Sequence, residues 1–94
     1  RRHHMPQLTC VLIQQPRGTS PGTYRVTWNT ARTVRQYKFL VGTVPGGKKY
    51  VTATQSGNGA GQYVGEVKGR PRMYIQVDYR TDQGPDHTIP ERLP

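Results

Sequence analysis

Apolar residues along this chain alternate with polar ones, and no window shows the three-and-four spacing of an amphipathic helix. Leu8, Cys10 and Leu12 fall on one parity, with Val11 and Ile13 on the other. The same period of two gives Tyr24, Val26 and Trp28 one face, and it recurs in Tyr37, Phe39 and Val41. Further along, Tyr63, Gly65 and Val67 share a face, as do Met73, Ile75, Val77 and Tyr79. The pattern predicts six short strands, over 7–15, 23–29, 34–42, 49–54, 62–68 and 72–81. Glycine and proline punctuate the chain between them. Pro16 to Gly22 separates the first two strands, and Pro45-Gly46-Gly47 precedes the fourth. The run Ser56 to Gly61 reads as a hairpin loop, because Asn58-Gly59 is a dipeptide that tolerates positive φ. Tyr24, Tyr37, Tyr50 and Tyr63 recur every thirteen residues, but the intervening sequences do not match, so the spacing reflects strand-plus-turn length.

After Thr81 the chain becomes polar and proline-rich, and residues 82–94 read as a tail or one short edge strand near Thr88-Ile89. Residues 1–4 read as a tag remnant, which leaves one domain over 5–81. Leu, Ile, Val and Phe are only 17 of 94 residues, yet nine of these are Val, and six Tyr with one Trp add large rings to a thin β core.

The strand motifs resemble those of fibronectin type III and related immunoglobulin-like domains. Val26-Thr27-Trp28 is similar to that family's core tryptophan strand, and Tyr37-Lys38-Phe39-Leu40-Val41 to its third-strand tyrosine with alternating apolar residues. Pro71 followed by Met73, Ile75 and Val77 resembles its proline-led strand. The resemblance covers about residues 6–81 and implies an all-β fold, an antiparallel β-sandwich of six to seven short strands. It also implies an adhesive, spacer or docking role without catalysis. Such domains occur in secreted, surface and phage virion proteins, which favours those settings over the cytoplasm. Cys10 is the only cysteine, so the chain cannot close an internal disulfide, and compartment stays open. No apolar run reaches the length of a membrane span, so no transmembrane segment is expected.

Charge changes the picture most. Residues 5–77 hold ten Lys or Arg and one acid, Glu66, whereas Asp78, Asp82, Asp86 and Glu91 crowd the last seventeen positions. A net charge of +9 favours anionic partners. Catalytic groups are scarce: outside the tag His87 is the only imidazole, and no nucleophile has a base placed by a known pattern. No metal or cofactor site is expected. The Gly-rich run lacks the Lys-Ser/Thr of a phosphate-binding loop. Parity turns Lys38, Arg72 and Arg80 to solvent, as it does Arg25 and Lys68 on the other sheet.

With strands three and six as neighbours, the candidate binding face is Gln36, Lys38, Lys48, Lys49, Arg72, Tyr74, Gln76 and Arg80, with Asp78 among them. That face suits docking to a protein or an anionic surface. The alternative is nucleic acid, with the cations on phosphates and Tyr74 stacking on a base. The late acids could fold back over the face and partly neutralise it.

Overall fold

The computed structural model describes residues 7–94, with Gln7 described by its backbone alone. The expected tag remnant at 1–4 lies outside the described residues. The described residues form an all-β, antiparallel fold of seven strands. These are β1 (Gln7–Gln14), β2 (Gly22–Gly42), β3 (Tyr50–Val51), β4 (Gln55–Gly69), β5 (Tyr74–Thr81), β6 (Gly84–His87) and β7 (Glu91–Arg92). Hydrogen bonds join them in one sheet whose main path runs β1-β2-β5-β6; β3 and β4 also pair with β2, and β7 with β5.

The two strands expected at 23–29 and 34–42 are one strand, β2, of 21 residues. Trp28 and Tyr37 show that it cannot be straight. Nine extended residues would separate them by about 30 Å, yet their ring centroids are 5.8 Å apart. The strand therefore folds over between an outgoing arm, 22–29, and a returning arm, 34–42. The register against β4 shifts at this bend, between Thr30 and Val34 and again by Gln36. Near it, the Thr30 hydroxyl accepts a hydrogen bond from the Arg32 amide at 3.0 Å.

β4 follows β2 around the bend, pairing from Tyr37↔Gln55 to Gly22↔Gly69. This corrects the hairpin loop expected at Ser56 to Gly61: that glycine run lies inside β4. The glycines serve close approach and curvature. A Cβ on Gly57 would sit 2.5 Å from the Val34 carbonyl oxygen, and Gly59 and Gly61 have φ of 102° and 138°. Glycine inside a strand often marks such a kink or bulge.

The core lies between the two arms. Its inward residues follow the alternation read from the sequence: Tyr24, Val26 and Trp28 on one side, Phe39, Val41, Ile75, Val77 and Tyr79 on the other. Gly65 and Gly69 let the leaves approach, since a Cβ at Gly65 would meet the Phe39 ring at 2.5 Å and one at Gly69 would meet Leu93 at 2.6 Å. Cys10 and Leu12 of β1 pack partly buried against this core, while Val11 and Ile13 are exposed.

The segment 82–94 is built into the fold. β6 pairs with Asp78–Thr81, and β7 pairs with Tyr74 and Ile75. Between them Thr88 is buried, donating its amide to the Val77 carbonyl at 3.0 Å and accepting the Val77 amide on its hydroxyl at 3.0 Å. Leu93 is buried in the core, and the Tyr24 hydroxyl donates to the Pro94 carbonyl at 2.9 Å. Strand structure falls at 84–87 and 91–92, and Ile89, where an edge strand was expected, is exposed between them. Among the described residues no helix is long and apolar enough to cross a membrane.

Candidate functional site

The returning arm of β2 and β5 are neighbours, with Gln36 opposite Arg80, Lys38 opposite Asp78, and Leu40 opposite Gln76. One face of this pair turns away from the core, and it carries half of the sequence-derived set. Gln36, Lys38, Gln76 and Arg80 line an open cleft of about 490 Å³ together with Tyr37, Asp78, Tyr79, Pro85, Asp86 and His87. β6 forms one wall because its register places Pro85 opposite Arg80 and His87 opposite Asp78.

The electrostatics of the cleft are mixed. Gln76 Nε2 donates to Asp78 Oδ1 at 2.6 Å, which fixes that carboxylate opposite Lys38. Asp86 accepts from Arg32 Nη1 at 3.0 Å, and its second oxygen accepts the His87 amide at 2.8 Å. Arg80 is exposed and joins no ion pair among the described residues. Burial, with Tyr63 second, raises the Tyr37 pKa. Burial, then Asp86, raises that of Tyr79, with Arg32 opposing. Both phenols therefore stay neutral donors at physiological pH. Among the described residues no group of three or more His, Cys, Asp or Glu is placed to hold a metal ion.

The other four residues of the predicted face lie elsewhere. The turn after β2 folds over Gln76: the amide oxygen of that side chain is 3.9 Å from where a Cβ on Gly46 would lie. Gln76 and Leu40 are both buried, although their parity is outward. This turn interrupts the face. Lys48 and Lys49 follow it at the end of the molecule, and Lys49 enters a second groove of about 530 Å³ with Thr23, Tyr50, Glu66 and Lys68. Tyr74 is half-buried, with the Arg92 guanidinium 4.5 Å from its ring centroid and Arg92 Nη2 donating to its hydroxyl at 2.6 Å. One face of that ring is thus occupied by a protein cation. Arg72 is exposed on the turn before β5, with a φ of 72°.

Sequence parity did not show that β6 contributes Pro85, Asp86 and His87 to the cleft. A proline and an acid in a four-residue strand carry no alternating pattern that could have revealed it.

Cys10 sits on the half-buried face of β1, and burial, with Glu91 second, pushes its thiol up to about 11. Its thiolate is correspondingly scarce at neutral pH.

No protein-family model, curated protein or solved structure significantly matches the chain.

Proposed function

We propose that this chain is a non-catalytic binding module that docks a segment of another protein in the β2–β5–β6 cleft. The supporting observation is the mixed lining of that cleft, where Lys38 and Arg80 stand beside Asp78 and Asp86 over Tyr37 and Tyr79. A volume of this order holds a few side chains, and paired signs of charge select a segment carrying both an acid and a base. Docking of this kind agrees with the adhesive or spacer role that the fibronectin-like strand motifs imply, in a secreted, surface or virion setting.

A panel of six-residue peptides tests the reading, each either containing Glu and Arg together or a neutral scramble, with binding followed by intrinsic tyrosine fluorescence. The mixed-charge peptides should bind in preference to the scrambles. The variant Lys38→Gln/Arg80→Gln should lose about 1–3 kcal/mol of that binding with an unchanged melting temperature. Equal binding of mixed and neutral peptides, or no loss in the double variant, would contradict the assignment.

A further inference from the structure

The fold sorts the charges along its length. At the bend end, Asp82 pairs with Arg35 and Asp86 with Arg32. In the body of the sheet, Glu66 lies opposite Arg25 and Asp78 opposite Lys38. Four of the five acids are thereby matched to a cation. Apart from Arg80 in the cleft, the cations left over gather where β2 begins and ends.

Both ends of β2 lie there: a Cβ on Gly69, the partner of Gly22, would be 3.1 Å from Val41. The turns at this open end interlock. Arg70 donates through Nη2 to the carbonyls of Gly18 and Ser20, at 3.1 Å for Ser20, and so ties the 17–20 turn to the end of β4. The Arg72 amide donates to the Leu93 carbonyl at 2.9 Å, and Arg92 Nη1 reaches the Arg72 carbonyl at 3.3 Å. Arg17, Lys48, Lys49, Lys68, Arg70, Arg72 and Arg92 therefore share one end of the molecule, with Glu66 and Glu91 the only nearby acids among the described residues. Arg72 also adopts a left-handed backbone there, a conformation unfavourable for a residue other than glycine and a pointer to function when observed.

We infer that this open end is a second binding surface, which takes the phosphodiester backbone of a nucleic-acid duplex. A protein interface needs an apolar centre within its charged rim. Here the exposed large apolar residues are Ile13 at the end of β1, Val44 and Val51, three aliphatic side chains without an aromatic anchor, beside seven cations. A single strand is held chiefly by stacking its bases on exposed rings. The rings at this end are unsuited to that: Tyr24 is buried, Tyr50 is half-buried, and Tyr74 lies under Arg92. What remains is cationic contact with phosphates, which is independent of sequence and strongly dependent on salt. The surface is independent of the peptide cleft, whose residues it does not share.

Fluorescence anisotropy with a labelled duplex of about 20 base pairs, titrated across salt concentrations, tests the inference. The intact chain should bind at about 50 mM salt, with log affinity falling linearly in log salt. Arg17→Gln/Lys48→Gln/Lys49→Gln changes three exposed side chains whose charged groups join no ion pair among the described residues. It should weaken binding roughly tenfold or more and reduce the slope by about 2–3. The control Arg35→Gln removes a paired charge at the bend end, about 25 Å away along the returning arm and beyond the screening length of about 8–10 Å. It should change affinity less than about twofold. Circular dichroism melts of both variants confirm that they fold; if the triple variant does not, the single variants Lys48→Gln and Lys49→Gln replace it. Absence of duplex binding at low salt, equal losses in the triple variant and the control, or tighter binding to the corresponding single strand would overturn the inference. So would displacement of the duplex by polyglutamate at equal charge concentration, which would assign the surface to acidic proteins. Loss of peptide binding in Lys38→Gln/Arg80→Gln with duplex binding intact would separate this surface from the cleft.

Discussion

At the scale of single residues, Arg72 is the clearest case of backbone and side chain in conflict. Its φ of 72° lies where glycine is at ease and other residues are not. Relief of that conformation is worth about 1–2 kcal/mol, and the greater freedom of glycine in the unfolded chain takes back about 0.5–1. Arg72→Gly should therefore raise stability by roughly 0.5–1 kcal/mol while weakening duplex binding; a denaturant melt and an anisotropy titration read the two effects. A stability loss would mean that the side chain does more for the fold than its exposure suggests. Trp28 shows a different tension. It is completely buried among Tyr37, Tyr63 and Tyr79, yet its indole N–H has no hydrogen-bond partner among the described residues. The area it buries and its ring contacts outweigh an unmade hydrogen bond, which costs about 1–3 kcal/mol. Strand parity placed this residue inward correctly, as it did Tyr24, Val26 and Phe39, because a period of two is a local property that a sequence displays directly. The capping of Tyr74 by Arg92 was not legible, since the two side chains are eighteen residues apart and meet only through the β5–β7 pairing.

At the scale of elements, the lesson comes from β2 and β4. Alternation identified both arms of β2 but could not reveal that they form one strand, because the linking residues Thr30 to Thr33 interrupt the apolar pattern just as a turn would. The glycine run of β4 carries the same ambiguity. Missing side chains suit a hairpin loop, and they also suit a strand passing within contact of the Val34 backbone. Long-range packing chose the second. The C-terminal strands were illegible for another reason: four and two residues are too few to show a period. Their weight in the fold comes from what lies between and after them. Leu93 fills space against Gly69 in the core, and removing its side chain leaves a cavity. Leu93→Ala should cost about 2–4 kcal/mol, whereas Ile89→Ala, at an exposed position, should cost less than about 0.5. Urea melts decide this, and equal costs would show that the segment after β6 is not part of the cooperative unit. The same packing ties the late acids to the core through Leu93. Cutting the segment 82–94 away would remove a core residue along with the charges.

At the scale of the whole molecule, one bend does two things. By folding β2 over, it brings both ends of that strand, and the Gly69 end of β4, to one side, and it leaves the matched acids, Asp82 and Asp86, beside Arg32 and Arg35 on the other. A chain whose charge is one-sided in sequence thus becomes one-sided in space, although along a different division. The predicted face of eight residues separates into a mixed-charge cleft and a cationic end because the turn after β2 lies across Gln76. The sequence carried the sign of the field; its location depended on topology. The two proposed surfaces, one for a protein segment and one for a nucleic-acid backbone, would together make the molecule a link between them.

Backbone amide chemical-shift mapping during titration with the 20-base-pair duplex tests this division most directly. Shifts should concentrate at Arg17 to Ser20, Lys48, Lys49, Lys68 to Arg70, Arg72 and Arg92, with Lys38, Asp78, Arg80 and Asp86 unmoved. Shifts centred on those last four residues, or spread evenly over the sheet, would contradict it.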